Sequence, residues 1–292
     1  KRIVAGKDYM INGLFQSPLT AKKVFEWKDK LETNELLVRE IIDIDSSYIE
    51  SESQDENLDL KKNKQEEKKD INEKSKKTKK SFESKEEKEK QSEGEKNEED
   101  FNEDEFNPTL AAMEEEIKPQ VISTMNSLCK EYGKLIKFQN DKLNCALNSL
   151  DYPRPKERNY QKLQESIIKK IKSLQLNTTV LEELLKIHYE ENKKITSLEG
   201  LLLRLVIENK IPREEFLKYY LGNEINPKLE SFLNDNSNWK SFFKKKKKEF
   251  FEIKDRLVEL SNKIGLPISD FKKLVGKIQK GEKESRIAKK EM

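Results

Sequence analysis

The fold class is decided by residues 109–149, which read TLAAMEEEIKPQVISTMNSLCKEYGKLIKFQNDKLNCALNS. Apolar side chains recur there every three or four positions, the spacing that places them on one face of an α-helix. They are Leu110, Met113, Ile117, Val121, Met125, Leu128, Tyr132, Leu135, Leu143 and Leu147. Pro119 interrupts the stripe, so the pattern predicts either a kink or a later start. The stretch is therefore predicted to form one long amphipathic helix.

Helical spacing continues on both sides of this stretch. Residues 1–45 are predicted to be helical, with a helix start at Ser17-Pro18 and an end at Asp45 to Ser47. Further helices are predicted over residues 157–174, 179–205, 211–221, 239–264, 268–280 and 282–292, with a loop over 223–238. The sequence carries no hairpin turn between alternating apolar runs. We therefore predict an all-α fold, an irregular bundle of long antiparallel helices interrupted by a disordered charged linker.

Local signals predict where several of these helices begin, weaken or end. Thr179 and Glu182 have the spacing of a capping box, which predicts a start at Thr179. Residues 190–194 are the weakest part of the following stripe and favour a break there. Gly265 predicts the end of the helix over 239–264. Gly281 is predicted to separate the helix over 268–280 from a final basic helix.

The low apolar content is a local property of the chain. Of the 292 residues, 34% are apolar, 39% are charged and the net charge is +3. Ordinary globular domains are ~45–50% apolar. Residues 49–106 hold only seven apolar residues, with 14 lysines against 21 acidic residues, a net charge of −7. This segment cannot offset its ordering entropy by burial and is predicted to be a disordered linker, whereas the remainder can bury a core.

The residues that carry enzyme chemistry are scarce. His188 is the only histidine, and it is predicted to be an ordinary helix surface or groove position. Cys129 and Cys145 are 16 positions apart, which is ~24 Å on one helix, too far for a disulfide. A reducing cytoplasm fits this pair. No glycine-rich phosphate loop is present. We therefore predict no catalytic, metal or cofactor residue, no small-molecule substrate and no enzyme activity.

The chain carries no membrane or secretion signal that we could identify. The longest apolar cluster, Leu198 to Ile207, contains Arg204 and is far shorter than the ~20 residues of a membrane span. No apolar signal segment follows Lys1. The chain starts without Met and stops at Met292 inside a charged helical pattern, so we expect it to be a piece of a longer protein.

Positive charge is concentrated at the C-terminal end. Residues 240–292 carry 17 Lys and Arg against 8 acidic residues, a net charge of +9. Both phosphate backbones and acidic protein surfaces attract such a segment. The five lysines at 244–248 surround a whole helix turn, so they are predicted to be solvated charge and not a binding face. The phenylalanines that flank them are predicted to be core residues.

The last twelve residues, GEKESRIAKKEM at 281–292, resemble the opening of region 2.1 in the primary (housekeeping) sigma factors of bacterial RNA polymerase, the sigma-70 family. That region shows Gly-Glu, two variable residues, Ala or Ser, two basic residues and Ala-Lys-Lys-Glu-Met. Ile287 departs from it, at the second basic position. Other similar segments follow in the family's order: Lys1 to Gly6 resembles the end of region 1.2, Ile211 to Glu224 a turn of the spacer, and Ile264 to Ile268 the break before region 2.1.

The resemblance implies that the chain is the "non-conserved" spacer between regions 1.2 and 2.1. Residues 1–48 would hold the end of region 1.2 and the first spacer helix, and 49–106 the linker. Residues 107–280 would form the helical spacer domain, and 281–292 the start of the region 2.1 helix. In the family, such a spacer contacts the β′ subunit of core RNA polymerase and influences promoter escape, while the full-length factor recognises promoter DNA in the cytoplasm.

Candidate contact residues also follow from the resemblance. The basic residues that match regions 1.2 and 2.1, and that would contact nucleic acid or core polymerase, are Lys1, Arg2, Arg286, Lys289 and Lys290. Two alternatives stay open. One is a free-standing helical scaffold that self-associates through the stripe over 109–149. The other is a non-specific nucleic-acid-binding module that uses the basic C-terminal helices.

Overall fold

The computed structural model describes residues 2–47, 110–233 and 237–291. These residues contain no strand, and one isolated antiparallel bridge joins Ile42 to Leu176. The named helices are α1 (Arg2–Leu14), α2 (Pro18–Glu32), α3 (Val38–Ile41), α4 (Leu110–Leu147), α5 (Arg154–Lys172), α6 (Thr178–Glu208), α7 (Arg213–Tyr220), α8 (Leu229–Leu233), α9 (Ser237–Ile264) and α10 (Ile268–Lys290). The predicted all-α fold is confirmed. The predicted linker, residues 49–106, lies outside the described residues.

The chain divides into two compact units. One combines residues 1–43 with 118–292, and the other is residues 44–117. Of the second unit, the structure describes a helical turn at 44–47 and the first turns of α4 at 110–117. The first unit holds α1 to α3, most of α4, and α5 to α10.

Helix α4 carries the long apolar stripe. It runs without interruption through Pro119, which is exposed, so the carbonyl that the proline leaves unpaired can face water. The later start that Pro119 allowed is therefore wrong, since the helix begins at Leu110. The buried members of the stripe in the first unit are Val121, Met125, Leu128, Tyr132, Leu135 and Leu143. The Tyr132 hydroxyl donates to the Phe15 carbonyl at 3.0 Å, which ties this face to the chain's N-terminal helices.

The predicted helical segment over 1–45 is divided into α1, α2 and α3. The predicted end at Asp45 to Ser47 is wrong, because residues 44–47 form a further helical turn. The predicted start at Ser17-Pro18 is confirmed, because the Ser17 hydroxyl accepts a hydrogen bond from the Leu19 amide at 3.3 Å and Pro18 opens α2. The loop after α3 is joined to the loop before α6, since the Asp43 amide donates to the Gln175 carbonyl at 2.9 Å.

The starts of α5 and α6 differ from their predicted positions, by three residues and by one residue. Helix α5 begins at Arg154, with Pro155 inside its first turn, because the first amides of a helix need no partner and proline is accepted there. Helix α6 begins at Thr178, and its cap is the Asn177 side chain, which accepts from the Thr179 amide at 3.2 Å. Asn177 therefore replaces the predicted capping box at Thr179 and Glu182.

The predicted break at 190–194 does not occur, and α6 is continuous. Glu191 lies on the buried side of this stretch, with 7% of its surface exposed. One of its carboxylate oxygens accepts from Lys194 and from Lys263 of α9, both at 2.9 Å. These ammonium groups overcome the effect of burial and hold the pKa of Glu191 below its ordinary value. An ion pair thus takes the place that an apolar residue would have in the stripe.

A short helix lies in the predicted loop over 223–238. Helix α8 buries Leu229 and Leu233 against the aromatic side chains of its neighbours. This aromatic cluster consists of Phe216, Tyr220, Trp239, Phe242, Phe243 and Phe250, all buried. The prediction that the phenylalanines around the lysine run are core residues is confirmed for Phe242, Phe243 and Phe250, whereas Phe251 is only partly buried. Helix α9 then ends as predicted, at Gly265, whose φ of +87° favours glycine.

Helix α10 continues straight through Gly281, so the predicted separation of two helices there is wrong. Glycine in a helix interior costs roughly 1 kcal/mol relative to alanine. Glycine stands here because α10 packs closely against α1 at this position. Among the described residues, no helix is long and apolar enough to span a membrane.

Candidate functional site

Helices α1 and α10 pack against each other in antiparallel orientation, with their backbones in contact. A Cβ atom added to Gly281 would lie 2.5 Å from the Met10 amide nitrogen, and one added to Gly6 would lie 2.7 Å from the Ser285 nitrogen. Side-chain carbons do not approach backbone atoms so closely. The two helices therefore touch backbone to backbone, and only glycine fits at both positions. We call this contact the glycine crossing.

The sequence carries a signature of the glycine crossing in the spacing of small residues on both helices. Gly13 continues it one step along α1, where an added Cβ would lie 2.7 Å from a side-chain carbon of Ile278. Gly6 and Gly13 are seven positions apart, as are Gly281 and the buried Ala288. Seven residues are about two helix turns, so each pair lies on one face of its helix. Small residues at matching spacing on two helices predict a close approach.

The predicted contact residues lie at one end of this crossing. Arg2, at the start of α1, forms an ion pair with Glu291, just past the end of α10. Arg286, Lys289 and Lys290 are exposed on the last turns of α10. The structure thus brings four of the five predicted residues to the same end of the helix pair. Lys1 lies outside the described residues.

The four cationic side chains differ in whether they have an ion-pair partner. The Arg2 guanidinium is occupied by Glu291, with both side chains more than half exposed. No hydrogen bond or ion pair holds Arg286, Lys289 or Lys290 to another described residue. Lys289 and Lys290 also lie in the last turn of α10, where positive charge is favourable next to the helix C-terminus. The available charge of the site is therefore on α10.

Helix α6 braces α10 through two polar contacts. The Tyr189 hydroxyl donates to Glu282 at 2.5 Å, and Lys272 donates to Glu199 at 2.7 Å. Burial and the neighbouring Glu282 carboxylate raise the pKa of Tyr189 well above its ordinary value, so it stays a donor at neutral pH. Glu282 immediately follows Gly281, so this brace acts at the glycine crossing itself.

His188 is buried, contrary to the expectation of a helix surface or groove position. None of its surface is exposed, and its ring stacks on Phe271 of α10 with the centroids 6.1 Å apart. Its Nδ1 lies 2.7 Å from the Leu184 carbonyl, so Nδ1 carries the hydrogen and donates it. The other ring nitrogen has no partner within the described part of the chain. Burial lowers the pKa of His188, which is therefore neutral at pH 7.

The arrangement offers recognition of negative charge. Across residues 2–47, 110–233 and 237–291, no cluster of three or more His, Cys, Asp or Glu could hold a metal ion. Cys129 and Cys145 both lie on α4 and are unbonded. Burial raises the pKa of Cys129, which makes its thiol less reactive. Exposed guanidinium and ammonium groups can bind carboxylates or phosphates.

The comparison with known families covers most of the chain. Residues 17–261 match the sequence profile described as sigma-70, non-essential region. The match includes α2 and α3, runs across the acidic and basic linker, and ends near the C-terminus of α9. It stops before the segment of α10 that carries Arg286, Lys289 and Lys290.

Proposed function

The chain belongs to the sigma-70 family, whose members act with RNA polymerase as transcription initiation factors, and from this premise we propose the role of its helices. Helices α4 to α9 form the spacer scaffold, and the glycine crossing holds the basic end of α10 in a fixed direction. Arg286, Lys289 and Lys290 contact core RNA polymerase, on the β′ subunit. The contact influences promoter escape, and promoter DNA is recognised through the full-length factor. The chain acts in the cytoplasm and has no enzyme activity of its own.

One observation carries the proposal: three exposed cations without a partner among the described residues stand at the end of a helix held by backbone contact. Exposed charge pairs across an interface are weak individually, at roughly 0.2–1 kcal/mol each. They favour fast association and are sensitive to salt. A contact of this kind can be made when the factor binds and released when the polymerase leaves the promoter.

The free-standing scaffold alternative loses its expected driving force. It requires the stripe over 109–149 to be available for self-association. In the first unit, this stripe is used inside the chain, since Met125 is 1% exposed and Leu128 is completely buried. A stripe buried against the chain's own helices cannot also bind a second copy.

A binding experiment with matched variants tests the proposal. The immobilised chain is offered purified core polymerase, or isolated β′, at low salt. We expect retention of both, and a loss of about tenfold in affinity for R286Q/K289Q/K290Q. The control K162Q/K169Q/K186Q removes three exposed lysines of α5 and α6 and should bind like the unmodified chain. No retention by the unmodified chain, or equal loss in the control, contradicts the proposal.

Promoter escape is tested in the full-length factor. The same two triple variants are compared by the ratio of abortive to full-length transcripts from one promoter. We expect the R286Q/K289Q/K290Q variant to change this ratio and the control variant to leave it unchanged. A changed core affinity with an unchanged ratio would separate polymerase binding from promoter escape.

A further inference from the structure

The lysine run of α9 has a one-sided arrangement that its sequence does not suggest. Five consecutive lysines were expected to surround the helix as solvated charge, but the structure divides them. Lys246 donates to Glu249 and Lys247 to Glu230, each at 2.6 Å. These two lysines are neutralised by their partners, which leaves Lys244, Lys245 and Lys248 of the run.

The remaining lysines form a stripe with Lys240. All four are exposed, and none has an ion-pair partner within the described part of the chain. At 3.6 residues per turn, Lys240, Lys244, Lys245 and Lys248 fall within an arc of about 140°. Lys240, Lys244 and Lys248 follow one another at a rise of about 6 Å. We call these four residues the lysine stripe.

The opposite side of α9 is fixed in the core. Trp239, Phe242, Phe243 and Phe250 are all buried, with Trp239 and Phe250 completely so. Phe243 and Phe250 also contact each other edge to face, at 5.3 Å between centroids. Helix α9 cannot rotate about its axis without exposing these rings, so the lysine stripe points permanently outward.

We propose that the lysine stripe binds the phosphate backbone of duplex DNA without regard to sequence, as a contact separate from the α10 cations. The stripe offers only ammonium groups, which bind phosphates as point charges. Specific protein interfaces place aromatic and apolar side chains in their core, whereas Trp239, Phe242, Phe243 and Phe250 are buried inside the chain. The partly buried ring of Phe251 is covered by the ammonium groups of Lys247 and Lys254, at 5.6 and 5.7 Å from its centroid. No ring of this helix is therefore open for stacking on unpaired bases, so the ligand is a duplex and not a single strand.

The test measures duplex binding by the chain in solution. Fluorescence anisotropy follows a labelled duplex of arbitrary sequence, about 30 base pairs long, as salt rises from about 50 to 200 mM. Four phosphate contacts contribute about 3.6 to the slope of log affinity against log salt concentration. We expect K240Q/K244Q/K245Q/K248Q to lower the slope by about 3–4 and the affinity at low salt by about tenfold or more.

Two controls separate this proposal from its rivals. K162Q/K169Q/K186Q/K193Q removes the same number of exposed lysines from α5 and α6 and should leave the slope nearly unchanged. Unlabelled duplex should displace the probe far better than polyglutamate at equal charge. The proposal is overturned if the unmodified chain does not bind duplex, if both quadruple variants lose affinity equally, or if polyglutamate competes as well as DNA. Equal thermal midpoints for both variants establish that both are folded.

Discussion

Two regions of this chain solve the problem of helix packing in opposite ways. At the glycine crossing, α1 and α10 meet with no side chain between them at Gly6 and Gly281. In the aromatic cluster, Trp239 of α9 fills the space between helices and packs on Phe216 of α7, with the ring centroids 6.1 Å apart. The crossing fixes a distance between backbones, whereas the cluster buries a large apolar area. The first contact sets geometry, and the second supplies stability.

The largest effect should come from emptying the aromatic cluster. Trp239 is completely buried, and its indole N–H donates to Glu215 at 2.9 Å. Trp239→Ala removes this donor and leaves a cavity among the three rings that contact it, Phe216, Phe242 and Phe243, so we expect a loss of about 3–5 kcal/mol in the free energy of unfolding. Urea denaturation followed by circular dichroism measures it.

Phe232→Ala is the matched control for this loss. Phe232 lies on α8 beside the cluster but is 40% exposed, so its truncation should cost about 1 kcal/mol or less. Equal losses from Phe232→Ala and Trp239→Ala would show that the cluster does not dominate the stability of this end of the chain.

A smaller but more specific effect is expected from filling the glycine crossing. Gly281→Ala adds a Cβ that would lie 2.5 Å from the Met10 nitrogen, so α1 must move away. We expect a net loss of about 1–3 kcal/mol despite the better helix propensity of alanine. In the binding experiment, we also expect weaker retention of core polymerase, since the end of α10 is displaced.

Gly276→Ala provides the control on the same helix. Gly276 is exposed and has no neighbouring atom within 4 Å of an added Cβ. There the substitution should stabilise the chain by roughly 0.5–1 kcal/mol, because only helix propensity changes. Opposite signs at positions 276 and 281 are the outcome that identifies the crossing. Destabilisation by both substitutions would mean that α10 needs glycine for backbone flexibility and not for contact with α1.

The next effect concerns His188, which is buried on α6 and stacks on Phe271 of α10. Burial lowers the pKa of His188 in the folded chain. In acid, the imidazole therefore binds a proton more readily in the unfolded chain than in the folded chain. The unfolding free energy should therefore be flat above pH ~6.5 and fall as the pH drops below that value. Urea midpoints measured between about pH 7.5 and 5.5 lie above the ordinary carboxyl pKa values of about 3.9 for Asp and 4.3 for Glu.

His188→Leu is the variant that assigns this pH dependence. It removes the only imidazole in the sequence, so the midpoint should become nearly independent of pH over the same interval. The absolute stability of the variant does not matter, because the slope is the quantity compared. An unchanged slope would mean that His188 does not titrate differently in the folded and unfolded chain.

The smallest effect is expected from the ion pair that closes the end of the crossing. The side chains of Arg2 and Glu291 are 72% and 53% exposed. Exposed pairs contribute roughly 0.2–1 kcal/mol. A double-mutant cycle with Arg2→Gln and Glu291→Gln should give a coupling in that range, decreasing with salt. A coupling well above it would show that the ion pair, and not the glycines, holds the helices together.

Periodic apolar residues made the helices predictable, and tertiary contacts explain the errors. The stripe of α4 predicts both its length and its buried face. The break expected at 190–194 fails because Lys263, far along the chain, supplies a partner for Glu191. Helix α8 is missed because Leu229 and Leu233 are too few to show periodicity, and their burial depends on aromatic residues of other helices.

The candidate site was predictable in its charges but not in its support. The resemblance marks Arg286, Lys289 and Lys290, and the structure exposes all three. Gly281 was interpreted as a helix terminator because glycine usually weakens a helix. Its actual partner is Met10, on a helix that begins the chain. The pattern within α10 alone cannot reveal a partner nearly the whole chain length away. The signal appears only when the spacing of small residues on α10 is compared with that on α1.

The unbroken course of α10 makes it a mechanical element. Its N-terminal half is anchored in the core by Phe271, which is completely buried, and its other end carries Lys290. The distance between these residues along the helix is about 28 Å at 1.5 Å per residue. Each degree of tilt about the anchor therefore displaces Lys290 by roughly 0.5 Å, given that helix length. A slight repacking of the spacer would thus be magnified into movement of its charged tip.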